Sequence, residues 1–341
     1  ITVTNDGNSD LQPDWLWIKV RNGTTNHDTF DSSRGITSKR LFPNLTNAEN
    51  DNGIDSVSSD GFTTGTSIGN INNTSGANNY VAWQWKANGG TATATGSESG
   101  NNPAYSVQAN TTAGFSVVTY TGTGSNGTVP HGLGVKPDWY IIKNRDNANA
   151  DDGRWMVWHK SLEALHNYYS FMFLHLTNSR SEGTTVVNAT PNTTTFALGD
   201  DGMINNDGQK YVAYCFAEKQ GYSKFGSYTG NGNADGTFVY TGFKPRWLMI
   251  KGASNVSSWN MYDTKRSPFN YSKLDAFKAN TNDAETSSPN NEGGDNLDIL
   301  SNGFKILTTN SDFNGSGNTY IYMAFASSPF VSSEGVPTTA R

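Results

Sequence analysis

Tyr80-Val-Ala-Trp-Gln-Trp-Lys86, Tyr211-Val-Ala-Tyr-Cys-Phe-Ala217 and Tyr320-Ile-Tyr-Met-Ala-Phe-Ala326 superpose without a gap, and their reading decides the fold. Successive side chains of a strand point to opposite faces. One face then carries Val81, Trp83 and Trp85, matched by Val212, Tyr214, Phe216 and by Ile321, Met323, Phe325. The other carries Tyr80, Ala82, Gln84 and counterparts that are smaller or mixed. That pattern predicts central strands with the bulky face toward a core.

Working outward, each closing segment follows an aligned turn: Ser59-Asp60-Gly61-Phe62, Asp200-Asp201-Gly202-Met203 and Ser301-Asn302-Gly303-Phe304. These read as hairpin signals. Each unit also opens alike, with Pro13-Asp14-Trp15-Leu16-Trp17-Ile18-Lys19, Pro137-Asp138-Trp139-Tyr140-Ile141-Ile142-Lys143 and Pro245-Arg246-Trp247-Leu248-Met249-Ile250-Lys251. The opening Trp recurs after 124 and then 108 residues, a period too long for a solenoid or propeller repeat and suited to tandem small domains. A further match leads the unit: Tyr120-Thr-Gly-Thr-Gly124 stands as far before Trp139 as Tyr228-Thr-Gly-Asn-Gly232 stands before Trp247. The corresponding tyrosine of the first unit would fall ahead of Ile1.

The predicted fold is all-β: three tandem, related β-sandwich-like units, lectin-like or jelly-roll-like, with minimal helix. Their bounds are 1–95 (truncated at its front), 96–220 and 221–341. Residues 88–103 are almost only Gly, Ala, Thr, Ser and Asn and read as a linker or exposed loop. Units two and three are joined by a few residues near Glu218 to Tyr222 and are expected to pack directly. Helix is predicted only at Ser161–His166 and, more weakly, at Ser272–Phe277. The Ser/Pro-rich tail after Ala326 is expected to lie along a neighbour or hang free.

Composition agrees with a turn-rich β protein. Charged residues make up 16% and aromatics 12%, and about 40 Asn join abundant Gly, Ser and Thr. The recurrence of Trp and Phe at fixed repeat positions argues against disorder. A net charge of −6 with no basic cluster beyond Lys39-Arg40 gives no footprint for nucleic acid. No apolar run is long enough to encode a membrane span. The one cysteine, Cys215, excludes an intrachain disulfide, and its strand position reads as packing rather than a catalytic thiol.

The histidines His27, His131, His159, His166 and His175 form no zinc pattern. The glycines of Tyr-Thr-Gly-x-Gly serve turns rather than a phosphate cradle. Asp151-Asp152, Asp200-Asp201 and Asp283/Glu285 are acidic spots that do not recur in all units. Asn147–Gly153 and Asp200–Asp207 resemble calcium loops only superficially. Asp31-Ser-Ser-Arg34 and Asp263-Thr-Lys-Arg266 align, and read either as a ligand contact or as a charge pair closing a turn. The expectation is therefore no catalytic, cofactor-binding or metal residue.

Several long motifs resemble a family. They are Tyr228-Thr-Gly-Asn-Gly232, Lys244-Pro-x-Trp-Leu-Met-Ile-Lys251, Tyr262-Asp-Thr-Lys-Arg-Ser-Pro268, Asp298-Ile-Leu-Ser-Asn-Gly-Phe304 and Tyr320 to Phe330. Phe115 to Gly122, His131-Gly-Leu-Gly134 and Tyr211 to Gly226 extend the match over nearly the whole chain. The sequence is similar to an uncharacterised repeat domain of structural and tail-associated virion proteins of marine bacteriophages, of the cyanophage and pelagiphage type. The resemblance implies a non-enzymatic virion-surface protein (tail fibre, tail tip or capsid appendage) that serves host attachment, with glycans as candidate ligands. It implies other virion proteins as partners and no cofactor. The alternatives are a purely architectural decoration, fibre or adaptor protein, and a polysaccharide-degrading enzyme. A homotrimer or other homo-oligomer stays open, since no heptads are present. The first unit's missing lead segment predicts that the intact gene product is longer than these residues. Its mass measures this, and a product beginning at Ile1 directly after an initiator Met would contradict it.

Overall fold

The structure, a computed structural model, describes all residues except 8–9, 66–67, 69–70, 73–76, 271–273, 287–295, 327–329, 332–336 and 339–341. The fold is nearly all β, with every strand pair antiparallel and three short helices among the described residues. The first part of the chain forms β1 (Thr2–Thr4), β2 (Trp15–Val20), β3 (Asp28–Asp31), β4 (Ser56–Ser58), β5 (Gly61–Thr63) and β6 (Tyr80–Trp85). The middle forms β7 (Ala94–Gly96), β8 (Tyr105–Asn110), β9 (Phe115–Thr121), β10 (Gly127–Pro130), β11 (Trp139–Asn144), β12 (Trp155–His159), α1 (Lys160–Leu165), β13 (Ser170–Phe173), β14 (Ser181–Glu182), β15 (Thr195–Leu198), α2 (Gly202–Asn205) and β16 (Lys210–Phe216). The last part forms β17 (Ser223–Thr229), β18 (Phe238–Tyr240), β19 (Pro245–Gly252), β20 (Asn260–Asp263), β21 (Ala276–Lys278), β22 (Leu297–Leu300), β23 (Gly303–Ile306), α3 (Ser311–Asn314) and β24 (Thr319–Ala326).

The opening and closing strands pair with each other in three sheets. The order β9-β16-β11-β12-β13 in the second sheet matches β17-β24-β19-β20-β21 in the third. The first sheet has β6-β2-β3, the same order without a lead strand among the described residues. The registers agree: Trp15 lies opposite Trp85, Trp139 opposite Phe216 and Trp247 opposite Phe325.

Each of these sheets is apolar on both faces, and the two faces go to different cores. The outer face packs under a small sheet of its own. Leu16, Ile18 and Phe30 meet Phe62 of the β1-β5-β4 sheet. Tyr140, Ile142 and Trp158 meet Phe196 of β10-β15, and Leu248, Ile250 and Tyr262 meet Phe304 of β18-β23-β22. The bulky inner faces of all three sheets share one core. At its centre the aligned Trp85, Phe216 and Phe325 touch pairwise, with ring centroids 5.8, 6.0 and 6.3 Å apart. Trp15 of the first sheet stacks on Tyr214 of the second at 4.4 Å, and Trp139 of the second meets Trp259 of the third at 5.7 Å.

Hydrogen bonds close these contacts into a ring. Trp155 Nε1 donates to the Phe42 carbonyl at 2.9 Å, and Trp259 Nε1 to the Phe173 carbonyl at 2.8 Å. His27 Nε2 lies 3.2 Å from the Lys278 carbonyl. Phe42, Phe173 and Lys278 hold equivalent places, each following the residue bridged to Thr29, Val157 and Met261. The second sheet thus reaches the first, the third reaches the second, and the first reaches the third.

Several expectations are corrected. Ser58–Gly61 and Leu300–Gly303 do turn hairpins, but Asp200-Asp201-Gly202 does not. Asp201 instead caps α2, its side chain accepting from the Met203 N–H, because β15 has already ended at Leu198. Ala276 and Phe277 lie in β21 rather than a helix, held by pairing with Tyr262 and Met261; residues 271–273 of that segment are outside the described set. The predicted helix at Ser161–His166 is α1, one residue earlier. The 88–103 stretch is exposed except at Gly96 and Pro103, but it carries β7, which extends the second sheet through β8. Most of the tail after Ala326 is outside the described residues.

A shared core predicts shared unfolding. Phe216→Ala should cost about 3–5 kcal/mol, and urea unfolding followed by both Trp fluorescence and circular dichroism should show one coincident transition rather than three.

Candidate functional site

The seams between sheets hold most of the buried ionisable groups. Lys19, Lys143 and Lys251, the last residues of the aligned opening motifs, are all fully buried. Lys143 Nζ donates to the Thr46 carbonyl of the first unit at 3.2 Å, and Lys251 Nζ to the Thr177 carbonyl of the second at 3.1 Å. Lys19 Nζ donates to Val20 and Gly23 carbonyls at 2.9 and 3.0 Å. Burial pushes Lys19 down to about 8 and Lys143 and Lys251 down to about 7.

The D-x-x-R pairs belong to these seams. Arg34 Nε donates to Asp31 at 2.5 Å, and its Nη1 to Glu49 at 2.7 Å; Glu49 also receives both Nε and Nη2 of Arg145 from the second sheet. Tyr214 of the second sheet donates its hydroxyl to Asp31 at 2.7 Å. The arrangement recurs between the third and first sheets. There Arg266 joins Asp263 and Glu285, Arg21 grips Glu285, and Trp83 Nε1 donates to Asp263 at 3.0 Å. Both pairs therefore close turns and also clamp the neighbouring sheet. At the third seam the matching places are taken by His159 and Leu162, and Glu218 instead joins Lys160 of α1 to Lys224 of β17, at 3.0 and 2.6 Å.

The remaining sequence candidates also resolve to structure. Cys215 is buried in β16, its thiol pushed far up by burial. His27 accepts from Trp17 Nε1, and His159 caps α1 by accepting from the Ser161 N–H; burial holds both near 3. His131 accepts from the Leu133 N–H, His175 sits against the Trp155 N–H, and His166 is exposed. Asp152 of the first calcium-like loop accepts from Asn147 and Asn149 side chains, and the second loop contains α2. Among the described residues no group of three or more His, Cys, Asp or Glu side chains is placed to hold a metal ion. Lys39 pairs with Asp51, and Arg40 Nη1 lies 3.3 Å from buried Asp28, whose carboxyl burial raises to about 7.

Two surface features differ between units. The first is a cleft of about 750 Å³ along β6, between the first and third sheets, bordered by Val3, Ile71, Trp83, Trp85, Trp247 and Phe325. The second lies on β18, where Phe238 and Tyr240 flank buried Val239 and are 44% and 64% exposed. Gly303 sits under the Phe238 ring, where a Cβ would come within 3.2 Å of it, and Gly242 borders the Tyr240 ring. Sequence reading missed both features, and it passed over the buried lysines. The recurrence of a lysine in three otherwise apolar strands was the available signal.

The fold defines a multi-sheet β protein closed around one aromatic core. The chain belongs to the family described as a domain of unknown function, DUF7483, which it matches over residues 3–329. No curated protein and no solved structure matches it.

An amine held below its ordinary value of 10.5 takes up a proton on unfolding at neutral pH. The resulting penalty is full below the folded value and fades as pH rises toward the unfolded one. Unfolding free energy from urea titrations should therefore rise between pH 7 and pH 9. Lys143→Met should lower that rise by up to about 1.4 kcal/mol per pH unit.

Proposed function

We propose that the chain is a non-enzymatic bacteriophage virion protein, displayed on a tail fibre, tail tip or capsid surface, and that it attaches to host-surface glycans. The observation that carries the attachment reading is the aromatic pair on β18. Phe238 and Tyr240 stand on one face of a strand, with flat apolar rings open to solvent and a phenol hydroxyl at one end. Single exposed aromatics are common on proteins, whereas two adjacent on a rigid strand present a contiguous apolar platform. Such a platform fits the apolar faces of pyranose rings, and the tyrosine tip and nearby Lys305 and Asp235 supply polar contacts. The counterpart strand β10 carries Thr128 and Pro130 in these places, and β1 carries Thr2 and Thr4. The scaffold is shared, and this platform belongs to one unit.

The virion assignment rests on the resemblance of the repeated motifs. A purely architectural role is the second reading, favoured by the open strand edge described next. Phe238→Ser/Tyr240→Ser should leave the thermal midpoint unchanged, because neither ring is in a core. It should lower binding to host cells and to any glycan retained on an array by at least tenfold. Blank results from both assays with the unmodified chain would remove the attachment reading.

A further inference from the structure

The cleft beside β6 occupies the place that a strand fills in the other two sheets. In the second sheet β16 lies between β11 and β9, and in the third β24 lies between β19 and β17. In the first sheet, among the described residues, β6 pairs with β2 alone. The burial contrast follows. Tyr211, Ala213 and Cys215 of β16 are fully buried, whereas Tyr80, Ala82 and Gln84 of β6 are only half-buried.

The hydrogen-bond phase says which groups the edge offers. Arg21 N–H donates to the Asn79 carbonyl, which fixes Val81, Trp83 and Trp85 as the residues bonded to β2. Ala82 and Gln84 then direct their backbone N–H and C=O toward the cleft. The same phase holds in β16, where Ala213 and Cys215 face Val118 and Ser116 of β9.

A receptor for the end of such a strand is also present. Tyr120 stacks on Tyr211 at 5.0 Å and donates to the Ile204 carbonyl, and Tyr228 stacks on Tyr320 at 5.0 Å and donates to the Phe313 carbonyl. Asn205 and Asn314, the next residues, accept from the N–H groups of Thr123 and Asn231, just past each Tyr-Thr-Gly. The glycine is required there. A Cβ on Gly122 would lie 2.2 Å from the Asn206 carbonyl oxygen, and one on Gly230 would lie 2.4 Å from that of Gly315. The first unit has the matching Ile71-Asn72. Ile71 borders the cleft, and Asn72 Nδ2 donates to the Thr64 and Gly65 carbonyls, as Asn205 Nδ2 donates to that of Gly199. On the inner side the lead strands touch the neighbouring sheet, through Phe115 against Trp15 and Phe225 against Trp139. The ring order makes Trp247 the neighbour at β6, and Trp247 borders the cleft.

We propose that this cleft is a strand-accepting site. Its occupant is an extended segment of Tyr-Thr-Gly type that runs antiparallel to β6, as β9 does to β16 and β17 to β24. Edge pairing supplies the ladder, and the Tyr slot beside Tyr80 and Ile71-Asn72 sets the register. Completed, the first sheet has the order of the other two.

Synthetic peptides test this on the chain as it stands. Fluorescent peptides with the sequences Gly114–Thr123 and Tyr222–Asn231 should bind saturably, as read by anisotropy. In the first peptide, the N–H groups at the positions of Val118 and Tyr120 face the closing strand, and those of Val117 and Thr119 face away. N-methylation at the former pair should weaken binding at least tenfold, and at the latter pair less than threefold. Ala82→Pro removes an N–H that faces the cleft and not β2, so it should fold normally and lose binding. Absence of binding by both peptides at 0.5 mM would overturn the proposal, as would equal effects of the two methylation patterns. A dimer by sedimentation that Ala82→Pro dissolves would place a second copy in the slot and overturn it also.

Discussion

The structure depends on alternation in three closing strands. Each must place its bulky side chains on one face, and each of those faces meets the other two. Trp85, Phe216 and Phe325 converge at the point where no sheet can move without the others. This explains why both faces of each sheet are apolar. One face is covered by the unit's own small sheet, and the other can be covered only by its neighbours. A unit taken alone would expose a broad aromatic surface, which water disfavours by roughly 25 cal/mol per Å².

The polar groups obey the same constraint. A ring of sheets needs its seams fixed in register, and apolar contact alone is weakly directional. The buried Trp and His N–H groups aimed at neighbouring carbonyls supply direction, and so do the lysines and the two carboxylate–guanidinium clusters. Isolated buried charges would be costly, but here each guanidinium meets two carboxylates and each buried lysine ammonium meets backbone oxygens. The perturbed groups that would draw attention to a catalytic centre are explained by this work of alignment.

Much of the scaffold was legible because side-chain alternation is local. Val81, Trp83 and Trp85 declare a common face from sequence alone, and the Trp of each opening motif marks its partner strand. What covers that face was not legible, because a pattern of period two says a face is buried without saying against what. The Asp200-Asp201-Gly202 turn failed for a related reason. An Asp before a Gly suits both a hairpin and a helix N-cap, and only the end of β15 at Leu198 decides between them. The D-x-x-R pair was read half correctly. Its turn is local, while Glu49 and Arg145 come from distant segments that no spacing announces. The Phe238/Tyr240 platform could have been read from its departure from the other units.

Joining the three sheets in one polypeptide frees the centre of the ring from self-consistency. In an assembly of identical chains, any residue on the axis meets two copies of itself, so its volume changes only in multiples of three. Here the axis holds one indole and two phenyl rings, and two seams carry carboxylate–guanidinium clasps while the third carries the Lys160–Glu218–Lys224 bridge. Each position can vary singly, so the interior can be trimmed by one side chain at a time. One sector can also specialise its exterior while the others hold the shape.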